Sequence, residues 1–194
     1  MAVISLKNKL KSGSLLVGNE YYNPTEFESI ATVTVGSGGS STISFTSIPG
    51  TYKHLQVRGI GRTNRADALD YYKIQFNTDT GSNYAWRQLY GSGATAAAQA
   101  GTTATEIRAF RVAGANDPAN IFGGQVFDVL DYANTNKYKT VRCLGGQDNN
   151  GSGEISFSSG LWQNTNAITS IEIKPGGGTN WEQYTTFALY GIGG

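Results

Sequence analysis

The chain has 194 residues, of which 39% are hydrophobic, 11% aromatic and only 15% charged, with 26 glycines and 11 tyrosines; this length suits one domain with a full core, and this composition suits a turn-rich β protein. Fifteen basic against fourteen acidic residues give a formal net charge of +1, which excludes a bulk field that would steer the protein to nucleic acid or to an anionic membrane. The single cysteine, Cys143, excludes an intrachain disulfide and a cysteine metal cluster, and its alternation with Val141 in "TVRCLGG" reads as a small buried hydrophobe.

Residues 1–24 differ from the rest and are read as an N-terminal docking arm ahead of a domain over 25–194. Val3, Leu6 and Leu10 fall on one side of a helical turn ringed by Lys7, Lys9 and Lys11, and "SGSLLVGNEYYNP" adds the pairs Leu15–Leu16 and Tyr21–Tyr22. Such an arm is apolar enough to need cover, so these seven residues are the expected partner-docking set. The segment has no apolar stretch of signal-peptide length, and no later stretch approaches a membrane span; the expectation is a protein without an export leader and without a membrane partner.

From Phe27 onward, short runs of alternating apolar and polar residues are separated by Gly, Ser, Asn, Asp or Pro. The first pair flanks "TVTVGSGGSSTISF", residues 32–45. A phosphate cradle needs a helix after its glycines, with inward N–H groups and a Lys behind them. Here Thr42-Ile43-Ser44-Phe45 has a period of two and no Lys follows, so the tract is read as the bend of a hairpin.

The remaining expected strands are "KHLQVRGI", "DYYKIQF", "YAWRQLYG", "ATEIRAFRVA", "GQVFDVLDY", "KYKTVRCLG", "GEISFSSGLW", "ITSIEIK" and "YTTFALYGI". Ile43 and Phe45, Leu55 and Val57, Ile74 and Phe76, and Ile171 and Ile173 sit two apart and should line one core. Turns are expected at "SIPGTYKH", "NTDTGSN", "QDNNGSGE" and "KPGGGTN", and a bland mobile loop at "GSGATAAAQAG" between Gly91 and Gly101. The series predicts an all-β chain: an antiparallel β-sandwich, jelly-roll-like, of about 10–11 strands with an N-terminal extension.

Sites for chemistry are sparse. His54, the only histidine, shares a strand face with Gln56 and Arg58 opposite Leu55 and Val57 and reads as a surface or interface residue. "FSSGL" lacks the strand-to-helix elbow that exposes a nucleophilic serine. Asp128 and Asp131 lie three apart, which sends them to opposite faces of a strand, and Asp67 and Asp70 read as loop residues near Arg62 and Arg65, explained by solvated pairs or a turn. "DNNGSGE" resembles the start of a calcium loop but lacks its further carboxylates, so it reads as a polar hairpin tip. No catalytic, cofactor-binding or metal-binding residue is assigned. Two aromatic groups remain: Tyr84, Trp86 and Tyr90, and Trp162 followed by Asn164. Rings beside amides suit stacking on a sugar, while the competing reading places both tryptophans in the core.

The segment from about Phe27 to Ile192 resembles small virion proteins of tailed bacteriophages, especially those infecting cyanobacteria and other aquatic bacteria. The resemblance is carried by "FESIATVTVGSGGSSTISFTSIPGTYKHLQVRGIGR", "YYKIQFNTDTGSNYAWRQLYGSG", "VLDYANTNKYKTVRCLGG" and "GLWQNTNAITSIEIKPGGGTNWEQYTTFALYGI". It implies a tail-fibre-like or structural β-sandwich without agreed catalytic residues, assembled into a virion in the host bacterial cytoplasm. Its expected partners are capsid or tail subunits and further copies of itself, with a trimer preferred. Because only some two dozen residues precede the module and no shaft repeat is present, the sequence favours a decoration or cement subunit, or an exterior knob, over a long fibre. Host-surface polysaccharide binding by a tail-fibre module is the alternative, and glycan degradation the third reading.

Overall fold

The computed structural model describes residues 15–17 and 20–22 as backbone, and residues 27–193 in full apart from the Phe110 side chain. Among the described residues, strands β1 (Leu15–Val17) and β2 (Glu20–Tyr22) pair with each other alone, Leu15 opposite Tyr22 and Leu16 opposite Tyr21, as a two-stranded sheet. The arm therefore contains a small strand ladder at the two residue pairs Leu15–Leu16 and Tyr21–Tyr22. Val3, Leu6 and Leu10, with the proposed helical turn, lie outside the described residues, as do the side chains of Leu15, Leu16, Tyr21 and Tyr22.

The described residues form twelve further strands, β3 (Phe27–Thr34), β4 (Ile43–Phe45), β5 (His54–Gly61), β6 (Leu69–Phe76), β7 (Tyr84–Gly91), β8 (Ala96–Ala104), β9 (Ile107–Ala113), β10 (Gly123–Leu130), β11 (Lys139–Asp148), β12 (Gly153–Trp162), β13 (Ile171–Pro175) and β14 (Thr186–Ile192). They form an eight-stranded sheet in the order β3-β14-β5-β10-β11-β12-β7-β8 and a four-stranded sheet in the order β4-β13-β6-β9. All the strand pairs are antiparallel. The all-β sandwich inferred from alternation is the fold.

The alternation is plainest in β11, where Lys139, Val141, Cys143, Gly145 and Gln147 are buried and their neighbours are open. The four expected residue pairs, from Ile43 and Phe45 to Ile171 and Ile173, are all buried between the sheets. Two aromatic clusters anchor this core. Trp181, Tyr72 and Phe187 meet with ring centroids 5.2 to 6.1 Å apart, and Phe76, Tyr84 and Trp162 meet at 5.7 to 6.5 Å. Each buried indole keeps a partner for its N–H: Trp181 donates to the Ile173 carbonyl (3.1 Å) and Trp162 to Asp79 Oδ2 (2.8 Å), as burial of an amphipathic ring requires.

Two strand-level expectations are corrected. "GSGGSS" is a turn, closed by Gly39 N–H donating to Gly36 O (3.0 Å), but its flanking strands do not pair with each other. β3 pairs with β14 in the large sheet and β4 with β13 in the small one, so the tract crosses between sheets rather than bending a hairpin. Alternation reports which face is buried, not which strand lies alongside. Gly91–Gly101 is not a loop throughout, since β8 begins at Ala96 and pairs with β7. Its alanines gave no periodic signal because both faces carry the same small side chain.

Candidate interaction surfaces

The outer face of the large sheet departs from the usual polar exterior. Strand register aligns Val126, Leu144, Phe157, Leu89 and Ala98 in one row across β10, β11, β12, β7 and β8. The adjacent row runs Ile60, Gly124, Gly146, Ile155, Gly91 and Ala96. Across the two rows, Ile155 is 63%, Leu89 59%, Phe157 57%, Ile60 49% and Leu144 43% exposed. At about 200 Å² per large side chain these five alone present roughly 500 Å² of apolar surface, near the upper end of what a monomer usually shows. A shallow groove between Arg58, Ile60, Val126, Leu144 and Ala188 extends the patch toward β14.

A polar band borders this stripe on the next register step. Arg58 Nε donates to Gln56 Oε1 (2.7 Å), Gln56 Nε2 donates to Asp128 Oδ1 (2.8 Å), and Arg142 reaches Asp128 Oδ2 at 3.4 Å. The Arg58 guanidinium also lies over the stacked rings of Phe27 and Tyr190, at 5.1 and 5.6 Å. Asp128 is thus held in this chain, whereas Asp131 lies past the end of β10, where Lys53 (3.0 Å) and Lys137 flank it. Hydrogen bonds from Lys137, then from Lys53, hold the Asp131 carboxyl at about 2. His54 Nδ1 accepts the Asp131 backbone N–H (3.0 Å), so the histidine fixes a strand end and is not aimed at a nucleophile.

The aromatic candidates divide. Tyr84 and Trp162 are 0% and 1% exposed and stack in the core, so neither offers a ring to a sugar; a face large and apolar enough to stack on a sugar is equally able to close a sheet end. Trp86 and Tyr90 are half-buried on the inner side of β7, facing β9. Arg108 of β9 lies 3.6 Å from the Tyr71 ring centre and 5.7 Å from that of Trp86. Arg111 lies 5.2 Å from the Tyr90 ring and is paired with Glu154 at 2.6 Å. The result is a ledge of alternating rings and guanidinium groups beside β9. Asn164 is occupied locally, its Oδ1 accepting the Asn166 N–H (2.9 Å), and it does not meet Trp86 or Tyr90 there.

Three polar residues do more than the sequence indicated. Asp70, read as a solvated loop residue, is fully buried at the start of β6. Its carboxylate accepts from Thr63 Oγ1 (2.9 Å) and from the N–H groups of Tyr71 (2.8 Å), Gly177 and Gly178 (both 2.9 Å). Arg62 donates four bonds to the carbonyls of Ala115, Asp117, Pro118 and Ile121, at 2.8 to 3.1 Å. Lys139, also fully buried, donates to the carbonyls of Asn134, Lys137 and Thr165 at 2.7 to 3.0 Å, and burial pulls its pKa down. These groups fasten loops. The sequence signal that could have flagged Lys139 is its inward register with Val141 and Cys143.

At "QDNNGSGE" the side-chain oxygens of Asp148 and Asn149 cap the tip by accepting the N–H groups of Asn150 and Ser152, both at 2.7 Å, as a polar hairpin turn does. Asp117 is bonded by Gln147 and Asn149. No family model, curated protein or solved structure matches the chain.

Proposed function

We propose that the chain is a structural protein of a bacteriophage virion, a β-sandwich module that decorates or cements the capsid or tail, or forms an exterior knob. The observation that carries this reading is the apolar stripe on the outer face of the large sheet. A face that exposes roughly 500 Å² of large aliphatic and aromatic side chain is favoured for burial against another protein, by up to about 12 kcal/mol before association costs. The resemblance of Phe27–Ile192 to virion proteins, the neutral charge and the single buried thiol support the same reading. In it, the stripe and the N-terminal arm meet neighbouring capsid or tail subunits, in a particle assembled in the host cytoplasm.

The test is an image of the purified particle. Many symmetry-related copies with the β11–β12–β7 face against a neighbouring subunit are expected, together with weakened particles when residues 1–24 are deleted. Absence of the protein from purified particles overturns the reading.

Host-polysaccharide binding is the second reading, and the ledge of Trp86, Tyr90, Arg108 and Arg111 is what favours it. Adsorption of soluble protein to host cells that is lost in Trp86→Ala would establish it. Glycan degradation ranks third: Asp70, Asp117, Asp128 and Asp131 are each engaged by donors or cations, and release of reducing sugar from host capsule would be needed to revive it.

A further inference from the structure

Four strands end the two sheets, and three of them carry features that blunt an edge. β4 has only three residues. β9 carries Arg108 and Arg111, and its ladder with β6 is broken by a bulge between Tyr71 and Tyr72. β3 carries Glu28 and a bulged register with β14.

β8 is different. It is nine residues long, and six of them, Ala96, Ala97, Ala98, Ala100, Thr102 and Thr103, are exposed. From Gln88 through Thr105 the chain has no charged residue and no proline. Its irregularity falls opposite Tyr84 to Trp86, which leaves Ala96–Gly101 in regular register against Gly91–Trp86. Among the described residues nothing pairs with its outer side. Alternate residues of an antiparallel edge strand turn both N–H and C=O outward, so β8 is an open template for one more strand.

We propose that the occupant of this edge is β8 of a second copy, so that two chains pair β8 to β8 antiparallel and join their eight-stranded sheets across a twofold axis. An isologous contact needs one surface complementary to itself, and β8 meets that condition. Every antiparallel register over Ala96–Gly101 sets only Ala, Gly or Gln against Ala, Gly or Gln. No like charges are opposed and no bulky pair keeps the backbones apart. Gly101 is also fixed from within, because a Cβ there would lie 2.4 Å from Trp86 Nε1, so the strand is kept narrow by its own core-side neighbour. Arg87 of β7 donates to Trp86 O (3.0 Å) and reaches Gly101 O of β8 (3.4 Å), while the side chains of β8 itself carry no charge. The pairing closes at two copies rather than the three expected from the sequence. It uses the outward backbone groups of the β8 edge rather than the side-chain face of the apolar stripe, whose two rows end on Ala98 and Ala96, and it stands whether or not the chain belongs to a virion.

The test is sedimentation of the full chain across a micromolar concentration series, with hydrogen exchange read at β8. The expected species has twice the 20.7 kDa chain mass, and the outward-facing amides among Ala96–Gly101, which do not pair with β7, slow by at least about tenfold as it forms. A double variant, Ala98→Lys with Ala100→Lys, opposes like charges across the axis and should return the monomer, while Phe157→Lys on the outer face leaves the dimer intact. A monomer at every concentration, a trimer, or a dimer whose β8 amides exchange at the monomer rate overturns the proposal. So does a dimer that survives the double lysine variant or is lost in Phe157→Lys.

Discussion

Lys139 and Arg62 pose the same problem at the scale of single residues: a cation taken out of water without a carboxylate against it. Each is held by main-chain carbonyls, three for Lys139 and four for Arg62. Replacing Lys139 by Met keeps the stem and removes the donors, which leaves the carbonyls of Asn134, Lys137 and Thr165 without that partner. Each buried carbonyl left unpaired costs on the order of 1 kcal/mol or more, so Lys139→Met should lower stability by about 2–3 kcal/mol in urea unfolding. Asp131 gives a pH signature of opposite character. Its carboxyl is held at about 2 by Lys137 and Lys53, below the roughly 3.9 of an unfolded aspartate. The native state therefore binds the proton less readily than the unfolded chain, and the contribution is complete above pH of about 4 and lost as pH falls toward 2. Lys137→Ala should flatten the acid limb of the stability curve over that window by lowering its neutral side slightly, while stability near pH 2, where the carboxyl is protonated in both states, stays nearly unmoved.

At the scale of elements, β12 shows how a strand is made to accept its partner in the facing sheet. Gly160 lies on the inner side of β12, and a Cβ there would come within 2.6 to 2.9 Å of three carbons of Ile107 on β9. Ile107 is fully buried and has nowhere to move. Gly160→Ala should then force the sheets apart locally and cost about 1–3 kcal/mol, measurable by thermal or denaturant unfolding. β12 was also among the most legible elements: "GEISFSSGLW" coincides with Gly153–Trp162, because alternation and turn residues at both ends agree. β8 was illegible for the converse reason, since an Ala-rich run has no apolar period. The β3–β4 crossover was missed because strand pairing depends on contacts distant in sequence. The expected pairing of Asp70 with Arg65 forms (3.4 Å), but its burial is not legible in the sequence, because its donors Gly177 and Gly178 lie far along the chain and meet it only after folding.

Across the whole molecule, the two faces of the large sheet obey different rules, and a pair of substitutions separates them. Trp162 and Phe157 lie on the same strand, five residues apart, which an alternating strand sends to opposite sides. Trp162 closes the core with Phe76 and Tyr84 and gives its N–H to Asp79. Its replacement by Ala should cost about 3–5 kcal/mol, so loss of sugar adsorption in Trp162→Ala would report unfolding rather than a binding site. Trp86→Ala, on a half-buried ring, is the variant that can test binding. Phe157 is more than half exposed among Leu89, Leu144 and Ile155, and Phe157→Lys should leave unfolding free energy within about 0.5 kcal/mol of the parent. The same change should weaken retention on a hydrophobic-interaction column and, on the virion role proposed above, reduce incorporation into particles. Both effects follow if the stripe is a contact surface held ready by the sandwich, since the substitution removes apolar area from that surface without touching the core that presents it. A large loss of stability in Phe157→Lys would instead mean that the outer face helps hold the monomer together, and the docking role assigned to it would fail.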